Sequence, residues 1–281
     1  MIDASMLSFL APCFAASLIL TGIHAYLGVH VVERGVIFVD LSLAQIAALG
    51  ATIALLMPFS NGDPHAPMVY WVSLAFTFMG AFIFSTIRSR HARIPHEAII
   101  GICYAVASAA AILAMSKATS ESEHLKDMLV GNILAVSWAE VGKTAALYGA
   151  IGVFHYIFRR QFLAISMDHR KAEESGLNVK VWDFLFYASF GFVVTSSVSI
   201  AGVLLVFSYL IVPSVAAMLY ADTIGKRLAI GWSMGTIVSA LGVFLSLKLD
   251  LPTGATIVCT FGLALIIMAA VRPLIQPHAV S

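Results

Sequence analysis

The chain has 281 residues, 60% of them hydrophobic and 11% charged, with a formal net charge of +1. A soluble domain of ordinary composition carries roughly 25% charged residues, so a water-soluble globule is excluded, as is the basic face of a nucleic-acid binder. Cys13, Cys103 and Cys259 are single, widely separated and inside apolar segments, the pattern of small packing residues and not of a disulfide framework.

Apolar runs of the roughly 18–20 residues that a bilayer core demands recur from end to end. Residues 68–87, 98–116, 228–247 and 251–271 contain no Asp, Glu, Lys or Arg, and neither does 184–220. No charged start followed by a small-residue cleavage site marks a removable signal peptide, so the first apolar segment is expected to remain as a helix. Spanning helices are expected at 6–29, 36–57, 68–87, 97–116, 137–158, 183–200, 203–220, 228–247 and 253–271. The stretch 183–220 is divided at Ser199–Gly202 because two crossings need a turn; one crossing with a re-entrant turn would lower the number to eight. The fold class is therefore all-α, a polytopic transmembrane helix bundle of eight to nine spans in a single domain, 1–281.

Connections follow the same logic. Segment 58–67 (PFSNGDPHAP) is a turn-rich loop, and 117–136, with Glu121, Glu123, His124 and Asp127 before LVGNIL, is expected to form an external half-helix. An N-terminus outside the cytoplasm assigns Arg34, Arg88, Arg90, Arg93, Arg159, Arg160, Arg170, Lys171, Lys180, Lys226, Arg227 and Arg272 to inner segments. Only Lys117, Lys126 and Lys248 fall outside, and twelve against three fits nine helices under the positive-inside rule. The longest inner connection, RRQFLAISMDHRKAEESGLNVKVW (159–182), has a polar, helix-favouring centre and a helix stop at Gly176–Leu177–Asn178. A short amphipathic helix beneath the bilayer is expected there; the alternative is a solvated connector.

Ionisable groups inside spans are costly and so mark function by default. They are His24, Asp40, Glu140, Lys143 and His155. Asp40, near the inner end of the second span, is the leading candidate: a carboxylate is a hard oxygen ligand for a divalent metal, and His24 on the preceding span can supply nitrogen. In the competing reading Asp40 is a cap or pairs with Arg34 near the membrane surface. His30 and His155 read as interfacial packing, Glu97 as a group suited to its own helix N-terminus, and Asp63 and His65 as loop residues that could meet incoming metal. SWAEVGKT (137–144) nearly matches a phosphate loop, but Ser137 replaces the first Gly and no strand pattern precedes it.

The chain resembles the permease subunits of metal-ion ABC importers of the zinc, manganese and iron type. LAISMDHRKAEESGLNVKVWDFL is similar to their inner loop at Asp168, Ala172, Gly176, Leu177 and Asn178. SIAGVLLVFSYLIVPSVAAML matches at Gly202, Val203, Pro213 and Ala217, and LDLPTGATIV, IPHEAIIGICYAVASAAAILAMS and LVGNIL are similar to further stretches in the same order. The likeness runs from about residue 26 to 271. It implies a coupling loop at about 163–180 in which Asp168, Ala172, Gly176, Leu177 and Asn178 dock on a separate ATPase. That family's second helix commonly carries Asp-x-x-x-His before a small-residue run ending in Gly. In DLSLAQIAALG (40–50) Gln45 takes the His place, and Asp40 stands one residue further from Gly50. The metal route implied is thus Asp40, with His24 and Gln45, and the departure leaves iron or a chelated metal open.

The resemblance implies a non-enzymatic permease in the bacterial inner membrane, with no permanently bound cofactor and with ATP used by its partner. Implied partners are two ABC ATPase subunits, an extracytoplasmic metal-binding protein, and a second permease, identical or related. A secondary transporter is the alternative; it calls for midplane acidic residues and two similar halves, and neither is seen. A membrane-embedded enzyme would need a cluster of catalytic side chains within the spans, which is absent from the sequence.

Overall fold

A computed structural model of the chain describes residues 4–60, 66–87, 95–116 and 133–275. Among the described residues there is no strand. The helices are α1 (Ala4–Glu33), α2 (Val39–Leu55), α3 (Pro67–Ile87), α4 (His96–Met115), α5 (Trp138–Ile157), α6 (Arg159–Met167), α7 (His169–Glu174), α8 (Val179–Ala201), α9 (Val203–Met218), α10 (Ile224–Leu249) and α11 (Thr253–Ile275). Each of the nine expected spans has its helix. Six of them, α1, α3, α4, α8, α10 and α11, are long and apolar enough to cross a membrane, and the chain is a multi-pass membrane protein. Helices α2 and α9, of 17 and 16 residues, reach ~24–26 Å at about 1.5 Å per residue, short of a ~30 Å hydrocarbon core. Large side chains such as Val106, Leu113 and Leu274, at 62%, 71% and 81% exposure, suit a lipid surface and no aqueous one.

The described residues cluster into two compact units. One draws on Met1–Val32, Val130–Gly149 and Ile200–Ser281, the other on Glu33–Leu129 and Ala150–Ser199. In the first, α9, α10 and α11 pack on one another. Gly28 of α1 lies against the Leu210 carbonyl and Ser214 hydroxyl of α9, and Ser214 Oγ donates to the Ala25 carbonyl at 3.3 Å. In the second, α2 packs against both α3 and α4, with Ser73 Oγ donating to the Ala47 carbonyl at 2.8 Å and Thr77 and Thr195 bonded hydroxyl to hydroxyl at 3.1 Å. Without water to displace, helices in lipid associate through such small-residue contacts and cross-helix hydrogen bonds.

Gly202 divides the long apolar stretch. Its φ of 76° and ψ of 161° belong to a region that only glycine enters at little cost, so α8 stops at Ala201 and α9 starts at Val203. The boundary falls within the expected Ser199–Gly202 division. Asp250, at φ 53° and ψ 48°, closes α10 in the left-handed conformation, and Ser246 Oγ then accepts or donates across 2.7 Å to Thr253 Oγ1 at the start of α11. The expected half-helix at 117–136 lies outside the described residues except for a 3-10 turn at Ile133–Ala135. Arg88, Arg90, Arg93, Lys117, Lys126, Asp63 and His65 also lie outside them.

Candidate functional site

The inner connection forms two helices where the sequence reading expects one. Helix α6 follows α5 after a break at Phe158, and α7 follows α6 after a break at Asp168, whose φ of −152° and ψ of 90° are extended. Asp168 Oδ1 accepts the Lys171 backbone N–H at 3.0 Å, capping α7. That backbone bond first, and Lys171's side chain after it, hold the Asp168 carboxyl below the usual carboxylate range. At the other end, the Leu177 N–H reaches the Ala172 carbonyl at 3.2 Å and the Gly176 N–H reaches the Glu173 carbonyl at 3.0 Å. This is a Schellman closure, and it needs the left-handed φ of 86° at Gly176.

Ala172 is buried with Ile165 and Val179, and Leu177 and Trp182 pack on this small core. Asn178 then caps α8, its Oδ1 accepting from Val181 N at 3.3 Å. All five positions singled out in the sequence therefore have local folding roles: Asp168 and Asn178 start helices, Gly176 and Leu177 end one, and Ala172 fills the core between. The outer face stays exposed, with an Arg170–Glu174 pair at 3.0 Å and a Lys171–Asp168 pair at 3.3 Å; such exposed pairs contribute little to stability.

Beneath this elbow lies a buried cluster that the sequence reading misses. Arg34 Nη1 donates to Asp183 Oδ1 at 2.6 Å, with both side chains at 1% exposure or less. Arg34 Nε donates to Ser166 Oγ at 2.9 Å, and its guanidinium lies 3.9 Å from the Phe186 ring centroid. Arg34 is thus no solvated loop charge, and it pairs with Asp183 of α8. His155 is buried in the protein: its Nε2 and Ser189 Oγ are 2.8 Å apart, and it stacks on Phe162 at 4.4 Å. The usable signal for Asp183 was its position beside a 37-residue uncharged run, 184–220.

Asp40 is the second residue of α2 and is 1% exposed. Neither of its carboxyl oxygens has a hydrogen-bond partner among the described residues. Glu97 lies in the first turn of its own helix α4, and its Oε1 also accepts the Phe38 N–H at 2.9 Å, at the start of α2. Gln45, half-buried, sits five residues on from Asp40, about 140° around the helix, so the two side chains diverge. His24 is fully buried and its Nδ1 donates to the Leu20 carbonyl at 2.8 Å, which fixes that nitrogen as the protonated one. Among the described residues no three His, Cys, Asp or Glu side chains gather as a metal-holding group.

The near phosphate loop resolves into a capping box. Ser137 N and Oγ both donate to Glu140 Oε2 at 2.8 Å, and Glu140 N donates back to Ser137 Oγ at 3.3 Å. SWAEVGKT therefore starts α5, with Lys143 exposed on it.

Residues 6–272 match the sequence model of the ABC 3 transport family. The chain is similar to the manganese transport system membrane protein MntC of Listeria monocytogenes, at 24% identity over 89% of this chain and 86% of that protein. It is also similar to the chelated iron transport system membrane protein YfeC of Yersinia pestis, at 25% identity over 89% and 82%. Its fold is that of a chain of PsaBC from Streptococcus pneumoniae, solved in complex with Fab, with a TM-score of 0.77, 23% identity, and coverage of 94% and 93%.

Proposed function

Since the chain belongs to the ABC 3 transport family, we propose that it is the permease subunit of an ATP-driven importer in the bacterial cytoplasmic membrane, carrying divalent transition-metal ions. The observation that carries the cargo reading is Asp40, an acidic side chain at 1% exposure whose two oxygens have no hydrogen-bond partner among the described residues. A buried carboxyl left this way is costly and is accounted for by a cation that visits it. A carboxylate oxygen suits manganese, the metal in the name of the relative MntC; the name of YfeC carries chelated iron.

The engine is a separate ATPase, two copies of which serve the permease pair, one on the exposed face of α6–α7 of each permease; an extracytoplasmic metal-binding protein delivers the cargo. The chain's own work is to hold the ion and to move, so it is a transport subunit and not an enzyme. A second permease copy is supported by α5, where Gly142, Ala146 and Gly149 are exposed and nothing lies within 4 Å of a Cβ placed on either glycine. Small residues spaced this way normally face another helix.

The test is reconstitution of the chain with its ATPase in liposomes, with radiolabelled manganese, iron and zinc in competition. ATP-dependent uptake, lost in Asp40→Asn with the complex still assembled, is expected. Uptake without any ATPase would overturn the reading in favour of an ion-coupled carrier.

A further inference from the structure

We infer that Arg34 is a positioning residue that ties the α6–α7 elbow to the first turn of α2, so that displacement of the elbow reaches Asp40. The inference rests on the permease reading above and names how the ion site is worked.

A chain of contacts carries it. Ser166, in the last turn of α6 and two residues before the Asp168 break, accepts Arg34 Nε at 2.9 Å while donating to the Phe162 carbonyl at 2.8 Å. Asp183 of α8 accepts Arg34 Nη1 at 2.6 Å. Arg34 is followed by an exposed Gly35 and then by a turn whose Val36 and Val39 are 1% and 0% exposed while Phe38 between them is exposed, the Val39 N–H bonded to the Val36 carbonyl at 3.1 Å. Asp40 comes next. Five residues separate Arg34 from Asp40; Val36 and Val39 anchor this short segment by burial, and Glu97 fixes the Phe38 N–H at 2.9 Å.

The chemistry of the pair points to work other than holding the fold. Replacing a buried ion pair with apolar side chains of similar volume is often neutral or stabilising, so stability alone does not call for one here. What the pair supplies is direction. A guanidinium is a planar fork that reaches two acceptors at a set angle, and here it reaches one on the elbow and one on α8. Lysine, a single point charge, could hold Asp183 and lose Ser166. Dry, discrete contacts of this kind switch between arrangements and do not stretch continuously.

The experiment uses the permease assembled with its ATPase, in wild-type form and as Ser166→Ala, Arg34→Lys and the paired apolar replacement Arg34→Met with Asp183→Leu. Two readouts are taken: metal moved per ATP hydrolysed, and hydrogen exchange of the 36–42 amides with and without nucleotide. In the wild type, nucleotide is expected to change exchange at 36–42. In Ser166→Ala that response is expected to fall several-fold, with ATP hydrolysis within twofold of wild type. The paired replacement is expected to move at least tenfold less metal per ATP while remaining assembled. An unchanged metal-to-ATP ratio and an unchanged exchange response in Ser166→Ala would overturn the inference, even if the paired replacement failed to assemble. So would a fall in transport and hydrolysis in equal proportion, which is what a merely structural role predicts. If the wild type moves no metal while its 36–42 exchange still responds to nucleotide through Ser166, the cargo reading fails and Arg34's role stands.

Discussion

Gly176→Ala is the most informative single substitution in the elbow. Nothing lies within 4 Å of a Cβ placed there, so the methyl meets no neighbour, and the whole cost is the φ of 86°. Holding an L-residue left-handed costs about 1–2 kcal/mol. Helix α7 is six residues long, too short to persist by itself, so its two closures carry it. Removing the Asp168 cap as Asp168→Ala costs roughly another 1 kcal/mol. Each change should therefore raise the opening of α7 by about 5–30-fold, read as faster hydrogen exchange at the amides of 171–177 in the detergent-solubilised complex. Because the two closures sit at opposite ends and share no partner, the double variant should show about the sum of the two free-energy losses. Gly225→Ala is the control: it too has open space around the added Cβ, but it lies inside the first turn of α10, where alanine is neutral or stabilising by a fraction of a kcal/mol. Equal exchange at 171–177 in Gly176→Ala and Gly225→Ala would refute the assignment of Gly176 as the closing residue.

Asp40→Asn is expected to abolish ATP-driven uptake and, in metal-free detergent, to raise the melting temperature by about 2–4 °C for each kcal/mol of unpaired burial it relieves; a lower melting temperature with uptake intact would contradict the ion-site reading. The depressed Asp168 carboxyl makes the α7 cap pH-dependent: its contribution is complete above the ordinary carboxylate value of about 3.9 and is lost only as pH falls through the lower folded value. Exchange protection of α7, corrected for intrinsic rates, should therefore hold through mildly acidic conditions and then drop in the wild type, while Asp168→Asn shows no such drop. Gly28→Val places side-chain atoms into the Leu210 carbonyl and Ser214 hydroxyl, an overpacking of roughly 1–3 kcal/mol or more, and should reduce the monodisperse fraction on size-exclusion chromatography, whereas Gly101→Ala, with open space around it, should leave it unchanged.

The helices were legible because hydropathy is a property of each segment alone. Segment 137–158 is Trp138–Ile157 in the structure, and 203–220 is Val203–Met218. The misplaced ends have one physical cause. Segment 6–29 continues to Glu33, and 183–200 begins at Val179, because capping residues and not hydropathy stop a helix: Gly35, with φ 64°, follows the first, and Asn178 opens the second. The elbow was readable as helix-favouring, with its stop at Gly176–Leu177–Asn178, but its break was not, since Asp168 reads equally well as a helix-interior charge or as a cap. Least legible was the Arg34–Asp183 pair, whose members are 149 positions apart. Assigning Arg34 to an inner segment says nothing of its partner, and only packing shows where a charge at a span's edge turns.

A membrane bundle leaves few places for such charges. Outside the bilayer, Lys171, Arg170 and Glu174 stay in water and their pairing is weak. Within it, a charge must find a partner, visit a cavity or remain costly. Arg34 has found its partners in Asp183 and Ser166, whereas Asp40, six residues later, has none among the described residues. One short segment thus carries a paired charge facing the elbow and an acid at the start of α2 with no hydrogen-bond partner among the described residues. On the proposed reading the paired one holds position and the unpaired acid takes a cation. An element that is to pass force to an ion needs both, because an unanchored acid would move without instruction and an anchored one would have no vacancy for cargo.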